Sequence, residues 1–159
     1  MDDREGMRLA LAEAERAAAD REVPVGCIVV REGAVVGRGR NRRVCLGDPL
    51  AHAELLAIRE AARAIGGWRL SGCTLFVTLE PCAMCAGALV ASRLDRLVFG
   101  TRDPKGGFCG SLGDLVRDPR LNHRLSVTEG VLAEECSRLL KRFFAGLRTG
   151  EPLFDLKER

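Results

Sequence analysis

The stretch 73-CTLFVTLEPCAMCAGALV-90 decides the fold of this chain, because it joins a buried strand to a helix through one short turn. Residues 73–79 are an apolar, β-rich run, which predicts a strand in the centre of a sheet. Proline is favoured at a helix entrance, so the following helix is predicted to start at Pro81-Cys82. Cys82 and Cys85 are three residues apart and are therefore predicted to lie on one face at the start of that helix.

Helices and strands alternate on both sides of this stretch. Apolar residues at helical spacing predict helices over 2–20, 51–64 and 133–147, the second with Leu55, Leu56, Ile58 and Ala62 facing inward. Short β-rich runs predict strands at 27–30, 35–36, 97–99 and 126–129. The glycines and arginines of 37–43 predict a loop. This alternation is typical of an α/β layered domain.

Size and composition predict one domain spanning residues 1–159. The chain is 47% hydrophobic and 30% charged, which allows a sizeable core and an ordinary polar surface. The N-terminus has no apolar leader, and no stretch approaches the roughly 18 apolar residues of a membrane span. Seven cysteines, an odd number, indicate reduced thiols in the cytoplasm rather than disulfides. The cysteines predicted to be buried or inert are Cys27, Cys45, Cys73, Cys109 and Cys136.

Positive charge is concentrated locally rather than overall. The net charge of +3 alone is a weak indication of a polyanionic partner. The clustered residues are Arg38, Arg40, Arg42 and Arg43 in the first half, and Arg138, Lys141, Arg142 and Arg148 near the end. These clusters are compatible with binding to RNA phosphates and equally with solvated faces.

The chemistry is indicated by His52-Ala-Glu54, which precedes the cysteine pair by one predicted strand. One histidine and two cysteines supply three zinc ligands and leave a fourth position open, as in catalytic rather than structural sites. Glu54 is not needed as a ligand and is free to move protons beside the open position. The alternatives are two buried thiols or a redox pair, and neither explains the upstream His-x-Glu. The complete pattern is typical of zinc-dependent nucleobase deaminases.

Further segments extend the pattern over residues 7 to about 148: Glu22–Gly26, Asn41, Asp48–Pro49, His52–Glu54, Thr78–Leu89, Phe99–Pro104, Gly110–Leu112, Asn122–Arg124 and Glu129–Ala133. Together they give the chain a close resemblance to the bacterial tRNA-specific adenosine deaminases of the cytidine-deaminase-like superfamily. The metal motif belongs to the whole superfamily, whereas 99–112 and 121–133 favour the tRNA-editing branch.

The resemblance implies a three-layer α/β/α sandwich with a central five-stranded mixed sheet. It also implies one Zn²⁺ per subunit on His52, Cys82 and Cys85, with Glu54 as the proton shuttle. The implied reaction is hydrolytic deamination of adenosine to inosine at the wobble position of a tRNA anticodon. The implied assembly is a homodimer whose partner subunit helps to form the substrate groove.

The resemblance also implies a set of substrate contacts. Asn41 is expected to hydrogen-bond the flipped base, although on its sequence context alone it reads as a turn residue. The residues expected to contact the anticodon stem-loop are Asp103, Lys105, Asn122, Phe144 and Arg148. Phe143 and Phe144 fit a helix core equally well, or one of them stacks on a splayed base. Phe108-Cys109 departs from the family by adding bulk beside the expected groove.

Three other functions use much of the same pattern. A deaminase of free cytidine or guanine, as base or nucleoside, needs the same zinc and glutamate, whereas the basic aromatic C-terminal helix favours a polymer. A non-catalytic, zinc-stabilised RNA-binding subunit is the second alternative, and a purely structural zinc has no use for Glu54. A riboflavin-pathway pyrimidine deaminase is disfavoured, because that branch spaces its second cysteine further from the first.

Overall fold

The computed structural model describes residues 1–149 and is built around one five-stranded mixed sheet. The helices are α1 (Asp3–Ala19), α2 (Ala53–Ile65), α3 (Ala83–Ala91) and α4 (Ala133–Arg148). The strands are β1 (Gly26–Arg31), β2 (Ala34–Arg40), β3 (Cys73–Leu79), β4 (Arg96–Thr101) and β5 (Ser126–Glu129). The strand order is β2-β1-β3-β4-β5. β1 is antiparallel to both neighbours, and β3, β4 and β5 are parallel.

Alternate residues of the central strands pack on opposite sides of the sheet, which places helices on both faces. Val29, Leu75 and Leu97 belong to a core cluster that includes residues of α2 and α3. Ile28 and Phe76 belong to a second cluster on the other face, with residues of α1 and α4. The predicted three-layer α/β/α sandwich with a five-stranded mixed sheet is confirmed.

The prediction of a loop over 37–43 is wrong for residues 37–40, because β2 continues through these glycines to Arg40, whereas 41–43 lie outside the strand as predicted. The glycines mark a close approach between strand and helix instead of a turn. A Cβ on Gly39 would lie 2.1 Å from the carbonyl oxygen of Ala53 in α2, and one on Gly37 would lie 2.3 Å from that of Ala57. Helix α2 therefore rests directly on the backbone of β2.

The inward face of α2 also differs from the prediction. Its buried residues include Ala53, Ala57 and Ala61, whereas Leu55 and Leu56 are only half-buried. Ile58 and Ala62 pack at the margin of the core. Alanines face the sheet because a larger side chain would hold the helix away from the glycines of β2. This short spacing sets the position of the N-terminus of α2, where His52 and Glu54 lie.

We expect Gly39→Ala to lower the free energy of unfolding by about 1–3 kcal/mol, the usual cost of overpacking a tight contact. The added methyl group would collide with the first turn of α2, so the positions of His52 and Glu54 should change as well. Urea denaturation measures the first effect. Gly67→Ala is the control, because a Cβ there meets open space. A fully stable Gly39→Ala protein would contradict the proposed contact.

An ion pair joins the start of α1 to the parallel half of the sheet. Both terminal nitrogens of Arg96 donate to the carboxylate of Asp3 at 2.7 Å, and one also donates to Thr128 Oγ1 at 2.8 Å. The Arg96 hydrogen bonds lower the pKa of Asp3 from its usual 3.8, against a smaller opposing effect of burial. Asp3 therefore stabilises the fold when it is ionised.

We expect Asp3→Asn to cost up to about 1 kcal/mol at neutral pH, since the pair is partly exposed. A carboxylate with a lowered pKa stabilises the protein above its unfolded pKa and loses that effect as pH falls through its folded pKa. The difference between wild type and variant should therefore vanish in acid below the Asp3 pKa. Urea denaturation of both proteins at several pH values between about 2 and 7, which span the ordinary carboxylate pKa, measures this difference. Glu15→Gln, at an exposed position, is the control.

Candidate metal centre and active site

The candidate site lies at one edge of the sheet, where β1 begins and three other strands end. Gly26 at the start of β1 pairs with Arg40, the last residue of β2. Leu79 at the end of β3 pairs with Thr101 at the end of β4. The segments that follow these strands are therefore brought together. Open α/β sheets bind ligands outside the carboxyl ends of their strands.

Two helices present the three predicted metal ligands at this edge. His52 is the N-cap of α2, Cys82 is the N-cap of α3, and Cys85 lies in the first turn of α3. His52 and Cys82 are thus one residue outside the helical turns in which they were predicted. Neither side chain caps its own helix, so both are free to face the site.

The three ligand atoms converge on one point. The Nδ1 atom of His52 is 3.4 Å from the Sγ atom of Cys85 and 3.7 Å from that of Cys82. The three donor atoms all lie within 4.8 Å of one another. This spacing allows one ion to touch all three, and it identifies Nδ1 as the ligating nitrogen of His52. Two thiolates and an imidazole are a donor set that suits zinc.

The electrostatics of the cluster favour a cation. Hydrogen bonds from Cys85 and then His52 lower the pKa of the Cys82 thiol to about 3. The hydrogen bond with Cys82 also raises the pKa of His52, partly opposed by burial. Negative charge therefore collects on sulfur between two helix N-termini, whose positive ends favour an anionic oxygen beside the metal position. The described residues fit a three-ligand zinc site with one open position.

Glu54 lies beside this cluster, in the first turn of α2, and is 4% exposed. Burial raises the pKa of its carboxyl group, and a hydrogen bond with Cys85 only partly opposes this effect. A carboxyl group whose pKa is raised towards neutrality is better matched to giving and taking protons. Glu54 thus lies beside the ligands and in the cavity wall, and its role as a proton shuttle stays a prediction.

A cavity of about 170 Å³ opens above the cluster. Its walls are formed by Val23, Val25, Asn41, Arg43, His52, Ala53, Glu54, Leu79, Glu80, Cys82 and Asp103. Pockets for drug-sized ligands measure about 300–1,000 Å³. The cavity is therefore suited to a single planar base, with the rest of a larger substrate outside it.

Asn41 lies in the cavity wall and is 6% exposed. Its Nδ2 atom donates to the carbonyl oxygen of Val23 at 3.3 Å, and its Oδ1 atom accepts from the backbone nitrogen of Arg43 at 3.1 Å. Asn41 thus shapes the local turn, as its sequence context predicts. One amide hydrogen and one oxygen lone pair remain for a base, so its predicted contact stays open.

The other predicted substrate residues fall into two groups. Asp103 lines the cavity, and its Oδ1 atom accepts from the backbone nitrogens of Lys105 and Gly106 at 3.1 and 3.2 Å. Lys105 is exposed on the same loop. Asn122, Phe144 and Arg148 are also exposed and do not line the cavity. Their predicted roles require a substrate that extends beyond it.

The C-terminal aromatic pair is arranged with one ring outward. Phe143 is half-buried, and Phe144 is 44% exposed. Their ring centroids are 5.5 Å apart in an edge-to-face arrangement. Phe144 is therefore the more accessible ring of the pair, and its predicted contact with RNA stays a prediction.

Two buried glutamates hold the walls of the site, although their sequence context predicted no role for either. Glu22 is 1% exposed and accepts a hydrogen bond from the backbone nitrogen of Cys45 at 2.6 Å, which fastens the loop after β2. Glu80 is 2% exposed and receives hydrogen bonds from the loop after β4. Burial would raise the pKa of Glu80, but these hydrogen bonds outweigh it and lower the pKa. For Glu80, the available sequence signal for a role in the site was its position as an acid directly after a buried strand.

Three further expectations are resolved by the structure. Of the five cysteines predicted to be buried or inert, Cys45 is exposed on the loop that Glu22 fastens, and the other four are buried. Phe108 and Cys109 pack against the core under α2 and α3. Their added bulk therefore lies mainly within the protein. Among the described residues, every helix is too short or too polar to cross a membrane.

Comparison with known proteins gives consistent matches. Residues 1–101 match the family model for the cytidine and deoxycytidylate deaminase zinc-binding region. The chain is 49% identical over 142 residues to the tRNA-specific adenosine deaminase of Bacillus subtilis (strain 168). This match covers 89% of the chain and 88% of the relative.

Solved structures give the same picture. One, from studies of A-to-I editing by tRNA:A34 deaminases at the wobble position of transfer RNA, is 43% identical with a TM-score of 0.82. It covers 86% of this chain and 99% of its own. A guanine deaminase from Nitrosomonas europaea is 26% identical with a TM-score of 0.77, and the match covers 89% of this chain and 84% of that chain.

Proposed function

Because the chain belongs to the tRNA-specific adenosine deaminases, within the cytidine and deoxycytidylate deaminase family, we propose that it deaminates adenosine to inosine at the wobble position of a tRNA anticodon. The observation that carries this function is the convergence of His52, Cys82 and Cys85 beside the buried Glu54, at a base-sized cavity. The partner is the anticodon stem-loop of a tRNA.

His52, Cys82 and Cys85 hold one Zn²⁺ per chain. When bound in such a site, zinc supplies Lewis acidity that lowers the pKa of a water molecule to about 7. The protein contributes a fixed set of ligands on two helix N-termini and a cavity that limits access by solvent. These features hold the attacking water and the base within reach of each other.

Glu54 moves the protons of the reaction. Its carboxylate takes a proton from the attacking water as the oxygen adds to carbon 6 of adenine. It delivers that proton to ring nitrogen 1 and then transfers a proton from the added hydroxyl group to the leaving amine. Ammonia departs, inosine remains, and Glu54 is regenerated as a carboxylate. One buried carboxyl group on a short tether serves all these transfers.

The substrate is held by residues at four places in the chain. Asn41 offers its free amide groups to the edge of the flipped base inside the cavity. Asp103 and Lys105 contact the neighbouring nucleotides from the loop after β4. Phe144 stacks on a splayed base and Arg148 pairs with phosphate, while Asn122 contributes a polar contact from the loop before β5.

The chain acts as a homodimer of single-domain subunits, each spanning residues 1–159, in the cytoplasm. Support for the second copy comes from large apolar side chains left exposed in the loops near the site. Leu46 and Leu50 are 49% and 47% exposed on the loop before α2, and Leu112 is 57% exposed on the loop after β4. Contact with a second subunit would remove this apolar surface from water.

A free-base deaminase is the second candidate, because the fold also matches a guanine deaminase with a TM-score of 0.77. The identity of 49% to a tRNA-specific enzyme, against 26% to the guanine deaminase, favours the polymer. A non-catalytic RNA-binding subunit is disfavoured, because Glu54 is buried beside the metal ligands and faces the cavity.

Incubation of the zinc-loaded protein with total tRNA, followed by sequencing, tests the proposal. Inosine is read as guanosine, so we expect adenosine-to-guanosine changes confined to one wobble position. Parallel incubations with free guanine and cytidine, monitored by ammonia release, test the second candidate. Ammonia from a free base without editing of tRNA would replace the proposed function with that candidate.

A further inference from the structure

Glu80 stands between the end of β3 and the segment that carries Cys82, and its carboxylate is completely occupied by hydrogen bonds. Oε1 accepts from the backbone nitrogen of Asp103 at 3.0 Å and from Ser111 Oγ at 2.5 Å. Oε2 accepts from the backbone nitrogens of Cys109 and Ser111, each at 3.1 Å. All four donors come from one loop, residues 103–111.

This arrangement determines what kind of role Glu80 has. An ionised carboxylate has about four positions for hydrogen-bond donors, and all four are filled by the loop. Although Glu80 lines the cavity, it has no lone pair left for a substrate. It therefore acts through the residues that it holds.

Two more contacts fasten the loop to the same segment. The backbone nitrogen of Phe108 donates to the carbonyl oxygen of Pro81 at 2.9 Å, and Gly107 forms an isolated bridge with Cys82. A Cβ on Gly107 would lie 2.2 Å from the carboxyl carbon of Glu80, so the loop passes directly against the carboxylate. These contacts and the Glu80 carboxylate together hold the loop against the segment that carries the metal ligand Cys82.

The fastened loop carries two residues that face the substrate. Glu80 holds the backbone nitrogen of Asp103, and the Asp103 carboxylate in turn closes a turn over Lys105 and Gly106. Displacement of the loop would therefore move Asp103 and Lys105 together, relative to Cys82. The metal ligands themselves would stay in place, since they are held by α2 and α3.

We propose that Glu80 is a positioning residue that fixes the RNA-contacting loop 103–111 at a set distance from the metal ligands. Its role is to place the nucleotides on either side of the flipped adenosine in register with Glu54. This inference rests on the proposed function, because the loop is assigned a polynucleotide as its substrate.

Glu80→Gln is the direct test, because it keeps the size of the side chain and replaces one oxygen with a donor that faces other donors. We expect KM for an anticodon stem-loop RNA with adenosine at the wobble position to rise about tenfold, the effect of about 1.4 kcal/mol in binding. The value of kcat per bound zinc should change much less. Ser111→Ala removes one donor and should raise KM less. Glu15→Gln, at an exposed position of α1, is the matched control and should leave both constants unchanged.

A binding measurement separates this inference from the proposed function. Fluorescence anisotropy of the same labelled RNA is compared for Glu54→Ala and for Glu54→Ala combined with Glu80→Gln, and we expect about tenfold weaker binding by the double variant. Lack of deamination by the wild type would reject the proposed function, whereas the anisotropy comparison would still decide on Glu80.

A purely structural role for Glu80 would lower the fraction of folded enzyme, which reduces apparent kcat and leaves KM unchanged. That result, or an unchanged KM and RNA affinity in a zinc-loaded Glu80→Gln protein, would overturn the inference. If Glu80→Gln does not fold or does not retain zinc, Ser111→Ala decides: a raised KM supports the positioning role and an unchanged KM rejects it.

Discussion

Replacement of Glu54 by glutamine is expected to lower the rate of adenosine deamination by about 10²–10⁴-fold while the protein retains one zinc per chain. Glutamine has the size of glutamate but neither takes a proton from water nor gives one to the purine ring. The metal ligands His52, Cys82 and Cys85 are unchanged, and their three donor atoms lie within 4.8 Å of one another. The loss should therefore be confined to the chemical step.

Single-turnover assays on an anticodon stem-loop RNA, combined with zinc analysis of the same sample, measure this effect. Glu15→Gln changes an exposed glutamate of α1 outside the cavity and serves as the control. Near-normal turnover by a zinc-loaded Glu54→Gln protein would show that another group moves the protons. Loss of zinc together with activity would mean that Glu54 contributes to metal binding.

Replacement of Cys85 by alanine is expected to abolish both zinc retention and deamination. Cys85 is fully buried, and its Sγ atom is 3.4 Å from the Nδ1 atom of His52. Its removal leaves two ligands, which is fewer than the three that catalytic zinc sites use. The protein should also unfold more easily, because a ligand present at 1,000 times its Kd stabilises the folded state by about 4 kcal/mol.

Zinc content after dialysis, deamination of the stem-loop RNA and urea denaturation measure these three effects together. Cys45→Ser is the matched control, since Cys45 is an exposed thiol outside the metal cluster. It should retain zinc, activity and stability. Treatment of the wild type with a chelator should cause the same loss of activity and stability as Cys85→Ala, and added zinc should restore both. A Cys85→Ala protein that still holds one zinc and turns over would reject the ligand set.

The parts of the fold that depend on local sequence were predicted closely. Residues 73–79 form a strand between one glycine and one proline, and 126–129 form the edge strand, as their β-rich runs indicate. The metal site could also be predicted from the sequence, because its ligands lie at the starts of the helices on either side of β3. The short-range spacings His-x-Glu and Cys-x-x-Cys were enough to identify these ligands.

The parts that depend on distant contacts were not predicted. The glycines of β2 have the composition of a loop, and only the approach of α2 shows why they belong in a strand. Glu80 is bonded to residues 23 to 31 positions further along the chain, so no local pattern assigns it a partner. The exposure of Cys45 likewise depends on a distant contact, because a hydrogen bond from its backbone nitrogen to Glu22 holds its loop.

The contact between backbone atoms of α2 and β2 has a consequence for how this enzyme tolerates change. In most helix–sheet interfaces, side chains separate the two elements and can repack after a substitution. Here the helix that carries His52 and Glu54 lies directly against the backbone of β2. A larger side chain at the glycines of β2 would therefore move the helix and, with it, these two residues. Changes in substrate specificity should therefore arise in the surrounding loops, while the contact between α2 and β2 stays restricted to glycine and alanine.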